Sequence, residues 1–380
     1  MKKKNMLLIQ SGGPTAVFNY TAYYLLKFAQ KEKAIGKCFY SKFGLNGLIN
    51  NDLGDLSLHE NELTKYPGSL IGSARIKLDT NFNSEHYSKI LETIKNNNIG
   101  YLFINGGNDT MDSANKLYQF LKYKNYPCNV IGIPKTIDND LNGTDFSLGY
   151  PSAAKYVITT IKELASDFRS YNVAQVNIIE TMGRHAGWLT AAAFLCNQDK
   201  KFVDLVYLPE LDFSLEKFLE DVKNLLKEKN TITVVISEGV KSNGELFIAK
   251  YLRNVKKDDF AHVQLGGVAQ ILSSICQDNF NVKSRGIELS LMQRSAHHLI
   301  SKIDLELTKK ICRYSIKKAI TNTNFMPIII RRNNKPYKYE IANTLLDNVS
   351  NYEKLIPDKW LVDNKSASPE LINYIKSLIK

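Results

Sequence analysis

The stretch VIGIPKTIDND, residues 130–140, decides the fold. A β-branched apolar run turns within one proline into a lysine, a threonine, an asparagine and two carboxylates. A strand of a parallel α/β sheet delivers a polar loop in this way. The same grammar recurs in both directions along the chain: MLLIQ-SGG opens it from Met6, YLFIN-GGND spans 101–109, VNIIE-TMGRHAG spans 176–187 and VVIS-EGV spans 234–240. In such sheets ligands lie outside the carboxyl ends of the strands, where these polar loops fall. The expected fold is therefore α/β, as two parallel-sheet domains facing each other across a cleft. The expected divisions are 1–147, 148–300 and a C-terminal segment 301–380 of helices and extension packing back on the core.

Between the strands, apolar stripes predict helices. Ala153, Val157, Ile161, Leu164 and Phe168 follow Pro151 at helical spacing, and Leu215, Phe218, Val222 and Leu225 repeat the pattern between charges. These stripes read as core. The chain has 380 residues, 44% hydrophobic and 23% charged, which suits globular domains with a real interior and excludes disorder throughout. No apolar run approaches the ~20 residues of a membrane span. The basic start MKKKNMLLIQSGG has too short an apolar part for a signal peptide, so a cytoplasmic protein is expected. Cys38, Cys128, Cys196, Cys276 and Cys312 are odd in number and unpaired in spacing, as expected of reduced thiols. The net charge of +12, with clusters at Lys2 to Lys4 and at Lys256 and Lys257, favours a polyanionic partner without choosing between nucleic acid and small phosphates.

Two glycines after the first strand, in SGGPTAVFNY (11–20), let backbone amides approach an anion beside a helix N-terminus. Neither GxxxxGK[ST] nor GxGxxG occurs in the chain. GGNDT (106–110) adds two glycines, Asn108, Asp109 and Thr110, and PKTIDND adds Lys135, Thr136, Asp138 and Asp140. Carboxylates and a lysine beside glycine amides suit a Mg²⁺-phosphate complex with a base for a hydroxyl nucleophile. The same residues could equally form an Asx-rich turn that satisfies only its own backbone.

GGND, PKTIDND, TMGRHAG and SEG, in that order after SGGP and extended by GSAR (72–75) and IELSLMQR (287–294), resemble the phosphofructokinase family, and most closely its pyrophosphate-using bacterial branch. The resemblance runs from Ser11 to about Lys302. It implies two Rossmann-like domains, the first for the phosphoryl donor and the second for fructose 6-phosphate. It also implies transfer from pyrophosphate to the C1 hydroxyl of that sugar with Mg²⁺, reversibly, in a homodimer or larger homo-oligomer with no nucleic-acid or membrane partner. Carried over by position, Asp138 would be the general base, with Thr136, Ile137 and Asp140 beside it. Met182, Gly183 and Arg184 would meet the sugar phosphate and the transferring group, and Glu238 the sugar hydroxyls. Arg285 and Arg294, nine apart, would clamp the 6-phosphate, one of them lent by a neighbouring subunit. Gly13 and Arg75 would hold the donor, and Asn108 the metal.

ATP-using relatives resemble GGDG and PGTIDND where this chain has Asp109 and Lys135. An aspartate there would repel an ATP α-phosphate, and a lysine would neutralise pyrophosphate as it splits. The chain also departs from the family. Asn108 stands where a metal-linked aspartate is usual, Gln175 where short enzymes carry an arginine, and Leu291 where they carry a histidine. Two alternatives follow: an ATP-dependent enzyme, or a catalytically weak regulatory paralogue.

Overall fold

The computed structural model describes residues 3–247, 266–334 and 336–379. Lys2, Lys256 and Lys257 of the two basic clusters lie outside them. The described residues of Met1–Tyr150 and Arg294–Glu353 form one compact unit, and those of Pro151–Lys257, Val263–Gln293 and Lys354–Lys380 form the other.

The first unit is built on five strands: β1 (Lys4–Gln10), β2 (Ile35–Ser41), β3 (Leu53–Asp55), β4 (Ile99–Gly106) and β5 (Asn129–Thr136). Their order is β5-β4-β1-β2-β3. β1 runs parallel to both β2 and β4, and β4 parallel to β5; β3 alone is antiparallel. β4 is buried along its whole length and β5 along all but its first residue. Both faces of the sheet are covered, which is why these strands read as continuous apolar runs without alternation. One face meets helix α1 (Phe18–Ala29) and the helix Lys302–Ala319, which pack together. On the other face Leu7, Ile9, Leu102, Ile104 and Val130 join Met111, Leu117 and Phe120 of the helix Asn108–Tyr123 in one core.

The second unit carries a four-stranded, all-parallel sheet, ordered Lys283–Glu288, Gln175–Thr181, Thr231–Ser237, Leu205–Tyr207. The helix Tyr150–Phe168 buries Ala153, Val157, Ile161 and Phe168, while Ala165 rather than Leu164 completes the fully buried stripe. The helix Leu215–Glu228 buries Phe218 and Val222 and leaves Leu215 and Leu225 half-buried at its rim.

Three consecutive segments do not describe these units. After Arg294 the chain returns to the first unit, and from Lys354 it rejoins the second. Residues 324–344 are not helical. The strands Asn324–Asn334 and Tyr337–Thr344 form a hairpin whose inner strand extends the first sheet beyond β5. The run FMPIII is β-branched and has no helix cap, so the edge of β5 is the better partner for it.

Candidate active site

In the first unit, the loop after β1 is tied to its neighbours through backbone. Ser11 N–H donates to Asn105 O (3.0 Å) and Gly12 N–H to Ala74 O (3.3 Å), while Ser73 Oγ donates to Gly12 O (2.7 Å). GSAR therefore lies along SGG and delivers Arg75 to this loop. The guanidinium of Arg294 also lies against it: a Cβ at Gly13 would stand 2.9 Å from Arg294 Cζ and Nε, so a side chain there would push the guanidinium aside.

Lys135 enters the same place from β5. It is 3% exposed, its Nζ donates to Gly13 O (2.7 Å), and it sits 4.8 Å from the centre of the Phe18 ring. Burial, then the Arg294 charge, pull its pKa down to about 7; Asp138 opposes them and Arg75 adds to them. Three cationic side chains thus gather around two glycines.

The IDND turn brings the carboxylates. Asn139 takes the left-handed conformation (φ 58°) that asparagine tolerates, and its buried Oδ1 accepts from Ser147 N–H (3.0 Å). Thr136 orients Asp138: its hydroxyl donates to Asp138 Oδ2 (3.2 Å) and accepts from Asp138 N–H (3.1 Å). The local turn suggested by the sequence is therefore real, and Asp138 and Asp140 stand at its mouth. Asp140 is pushed up to about 7 by burial first and by Asp138 second, with Glu353 adding to the effect. Glu353 comes from the C-terminal extension, through a backbone bridge to Leu141.

Asn108 opens the helix Asn108–Tyr123, with Asp109 in its first turn. Its Nδ2 donates to Asp140 Oδ2 (3.0 Å), which leaves Asn108 Oδ1 and Asp140 Oδ1 buried without a protein partner. Two unmet oxygens suit Mg²⁺, which takes few protein ligands and keeps waters and phosphate oxygens for the rest. Among the described residues no group of three or more His, Cys, Asp or Glu is arranged to hold a metal.

In the second unit, TMGRHAG and SEG interlock. Gly183 N–H donates to Glu238 Oε1 (3.4 Å), Glu238 N–H to Thr181 O (3.0 Å), and Ser237 Oγ to Gly183 O. Gly239 packs so closely that a Cβ would stand 2.0 Å from Arg184 O. Met182, Arg184 and Glu238 are half-buried at this junction. The segment from Lys354 onward supports the loop from behind. Trp188 Nε1 donates to Lys354 O (2.9 Å), its ring meets Trp360 and Tyr374, and Glu210 accepts from Gly187 N–H (2.8 Å).

Arg285 lies on the strand Lys283–Glu288 in register with Asn177, and donates to Gln175 Oε1 (3.3 Å). Gln175 is buried and its amide donates to Phe168 O, so the residue at the departed arginine position is built into the fold. Arg285 belongs to the second unit and Arg294 to the first, where it joins the SGG loop. The nine-residue spacing alone therefore does not define one phosphate clamp within a unit. Ile137 is buried and offers its backbone to the turn.

The sequence reading passed over two buried polar residues. Glu180 is the penultimate residue of the strand Gln175–Thr181, accepts from Ala269 N–H (2.8 Å) at the start of the helix Val268–Phe280, and is pushed up to about 7 by burial. Asn105 ends β4 with no exposure at all. The signal for Asn105 was available: it is a single polar residue closing an apolar run directly before two glycines.

A family model described as phosphofructokinase matches residues 5–288. A pyrophosphate–fructose 6-phosphate 1-phosphotransferase of Xanthomonas campestris is 35% identical over all of this chain and 92% of its own length. A protein of the same name from Methylococcus capsulatus is 32% identical over all of this chain and 92% of its own. The crystal structure of a pyrophosphate-dependent phosphofructokinase from Nitrosospira multiformis matches with a TM-score of 0.88 at 31% identity, covering 99% of this chain and 92% of that one.

Proposed function

The chain belongs to the phosphofructokinase family, and on that premise we propose that it transfers a phosphoryl group from pyrophosphate to the C1 hydroxyl of fructose 6-phosphate. The products are fructose 1,6-bisphosphate and phosphate, and the reaction runs in either direction. The observation that carries the choice of donor is Lys135, buried under the SGG loop with Arg75 and Arg294 around it. Three cations on a narrow glycine backbone suit a small, dense polyanion.

Asp138, oriented by the Thr136 hydroxyl, takes the proton of the C1 hydroxyl while that oxygen bonds to the phosphorus and the bridging P–O bond of pyrophosphate breaks. Lys135, Arg75 and Arg294 receive the charge of the departing phosphate. Asn108 Oδ1 and Asp140 are the oxygens that would hold Mg²⁺, whose part is to neutralise charge on the phosphates. Asp109 weighs against a nucleotide donor. Met182, Gly183, Arg184 and Arg285 take the sugar phosphate, and Glu238 accepts from the sugar hydroxyls. The same reading has the enzyme in the cytoplasm as a homodimer or larger homo-oligomer. Among the described residues no helix is long and apolar enough to cross a membrane.

The test is product formation from fructose 6-phosphate and Mg²⁺ with pyrophosphate or ATP as sole donor, beside Asp138→Ala. Turnover with pyrophosphate alone is expected, falling about 10²- to 10⁴-fold in the variant. Turnover with ATP would overturn the donor reading and leave the base standing. No turnover with either would favour a regulatory paralogue.

A further inference from the structure

Asn105 is the last side chain of β4 before two glycines, and its register partners are Gln10 on β1 and Ile133 on β5. Lys135 follows Ile133 by two residues, so it projects from the same face of the sheet. β4 lies between β5 and β1, yet Lys135 Nζ reaches Gly13, just beyond the end of β1. The lysine stem therefore passes over the end of β4, where Asn105, one register step back, is the last side chain on that face. Asn105 is fully buried, and neither Oδ1 nor Nδ2 has a partner in the protein. An ammonium has three donors, and the Gly13 carbonyl takes one. Thr15 Oγ1, in the same loop, is also buried without a partner. Buried polar groups in this condition are met by ordered water.

We propose that Asn105 is a positioning residue that holds the Lys135 ammonium against the SGG loop through a buried water shared by its amide and Nζ. The inference rests on the reading of Lys135 as a donor-binding residue and deepens it. Arg294 and Arg75 face Lys135 as like charges, and Asp138 and Asp140 as opposite ones. A neutral amide solvates the ammonium without adding a carboxylate that would repel the donor. It keeps the charged form present at neutral pH in an interior that disfavours it.

Lys135 is followed directly in protein labelled with [¹³C]lysine, its Cε signal assigned by loss in Lys135→Met. With Asn105→Leu the Lys135 titration is expected to fall by about one pH unit, the scale of one lost hydrogen bond to a charged group. The alkaline limb of kcat/KM for pyrophosphate is expected to move down with it, because the charged form is lost as pH rises. With Asn105→Asp both are expected to move up. An unchanged Lys135 titration in the leucine variant, or movement in the same direction in both, overturns the proposal. Should the leucine variant not fold, Asn105→Ser is expected to give a smaller downward shift, and no shift overturns the proposal equally. Pyrophosphate turnover that survives Lys135→Met would defeat the donor-binding role, while the ¹³C titration would still decide the contact.

Discussion

The two units position their functional groups by different physics. In the first, charge is taken into the interior: Lys135 is 3% exposed, and Asp140 is burdened by burial and by its neighbour Asp138. In the second, Arg184 and Glu238 stay half-exposed, and backbone packing at Gly239 and Gly183 sets their place. Buried charge is costly to hold and strong in its effect on a bound anion. A glycine junction costs little electrostatically and is intolerant of volume. The first unit should therefore be sensitive to charge at constant shape, and the second to shape at constant charge.

Lys135→Met is the strongest way to break this contrast. It keeps length and removes charge, so kcat/KM for pyrophosphate is expected to fall about 10³-fold, within the range for unpairing a buried charged contact. Stability to urea is expected to hold or rise, since an apolar side chain replaces a buried cation. A large loss of stability would make Lys135 part of the scaffold and erase the difference between the units.

Gly239→Ala is the reciprocal change. The added methyl would meet the Arg184 and Gly183 carbonyls at 2.0 and 2.5 Å. Overpacking against backbone is expected to cost about 3 kcal/mol in urea denaturation and to raise KM for fructose 6-phosphate. An alanine variant of native stability and KM would show that the junction moves freely.

The smallest effect sharpens the comparison, because Glu180 is a buried acid in the unit whose loop junction is set by shape. Its folded pKa of about 7 lies above the unfolded carboxylate value. Its contribution is therefore fully present below the unfolded pKa and lost as pH rises through about 7. Between pH 5 and 7 wild type is expected to lose about 2 kcal/mol relative to Glu180→Gln, read as a difference of denaturation midpoints. Parallel pH profiles would mean that the Ala269 amide already compensates the charge.

The strands were legible because two covered faces demand uninterrupted apolar runs, and the loops because glycine and carboxylates follow those runs directly. VIGIP, YLFIN and VNIIE each became a central strand within two residues of the expected ends. The hairpin within the tail was not legible because FMPIII has no partner in sequence; its pairing with β5 forms only once both segments share one sheet. Nothing in the nine-residue spacing of Arg285 and Arg294 told that they belong to different units.

Composition and motif order alone determined an α/β protein with polar loops at the strand ends, and the residue types those loops carry. Hydrophobic periodicity and glycine placement are local properties, so the chain writes them in order. Only the tertiary structure decided that Lys135 is buried, that Arg294 joins Gly13, that Glu353 stands by Asp140 and that the Asn105 amide is buried without a partner in the protein. Those facts depend on which distant segments share a low-dielectric interior, and burial and neighbouring charge act through space rather than along the chain.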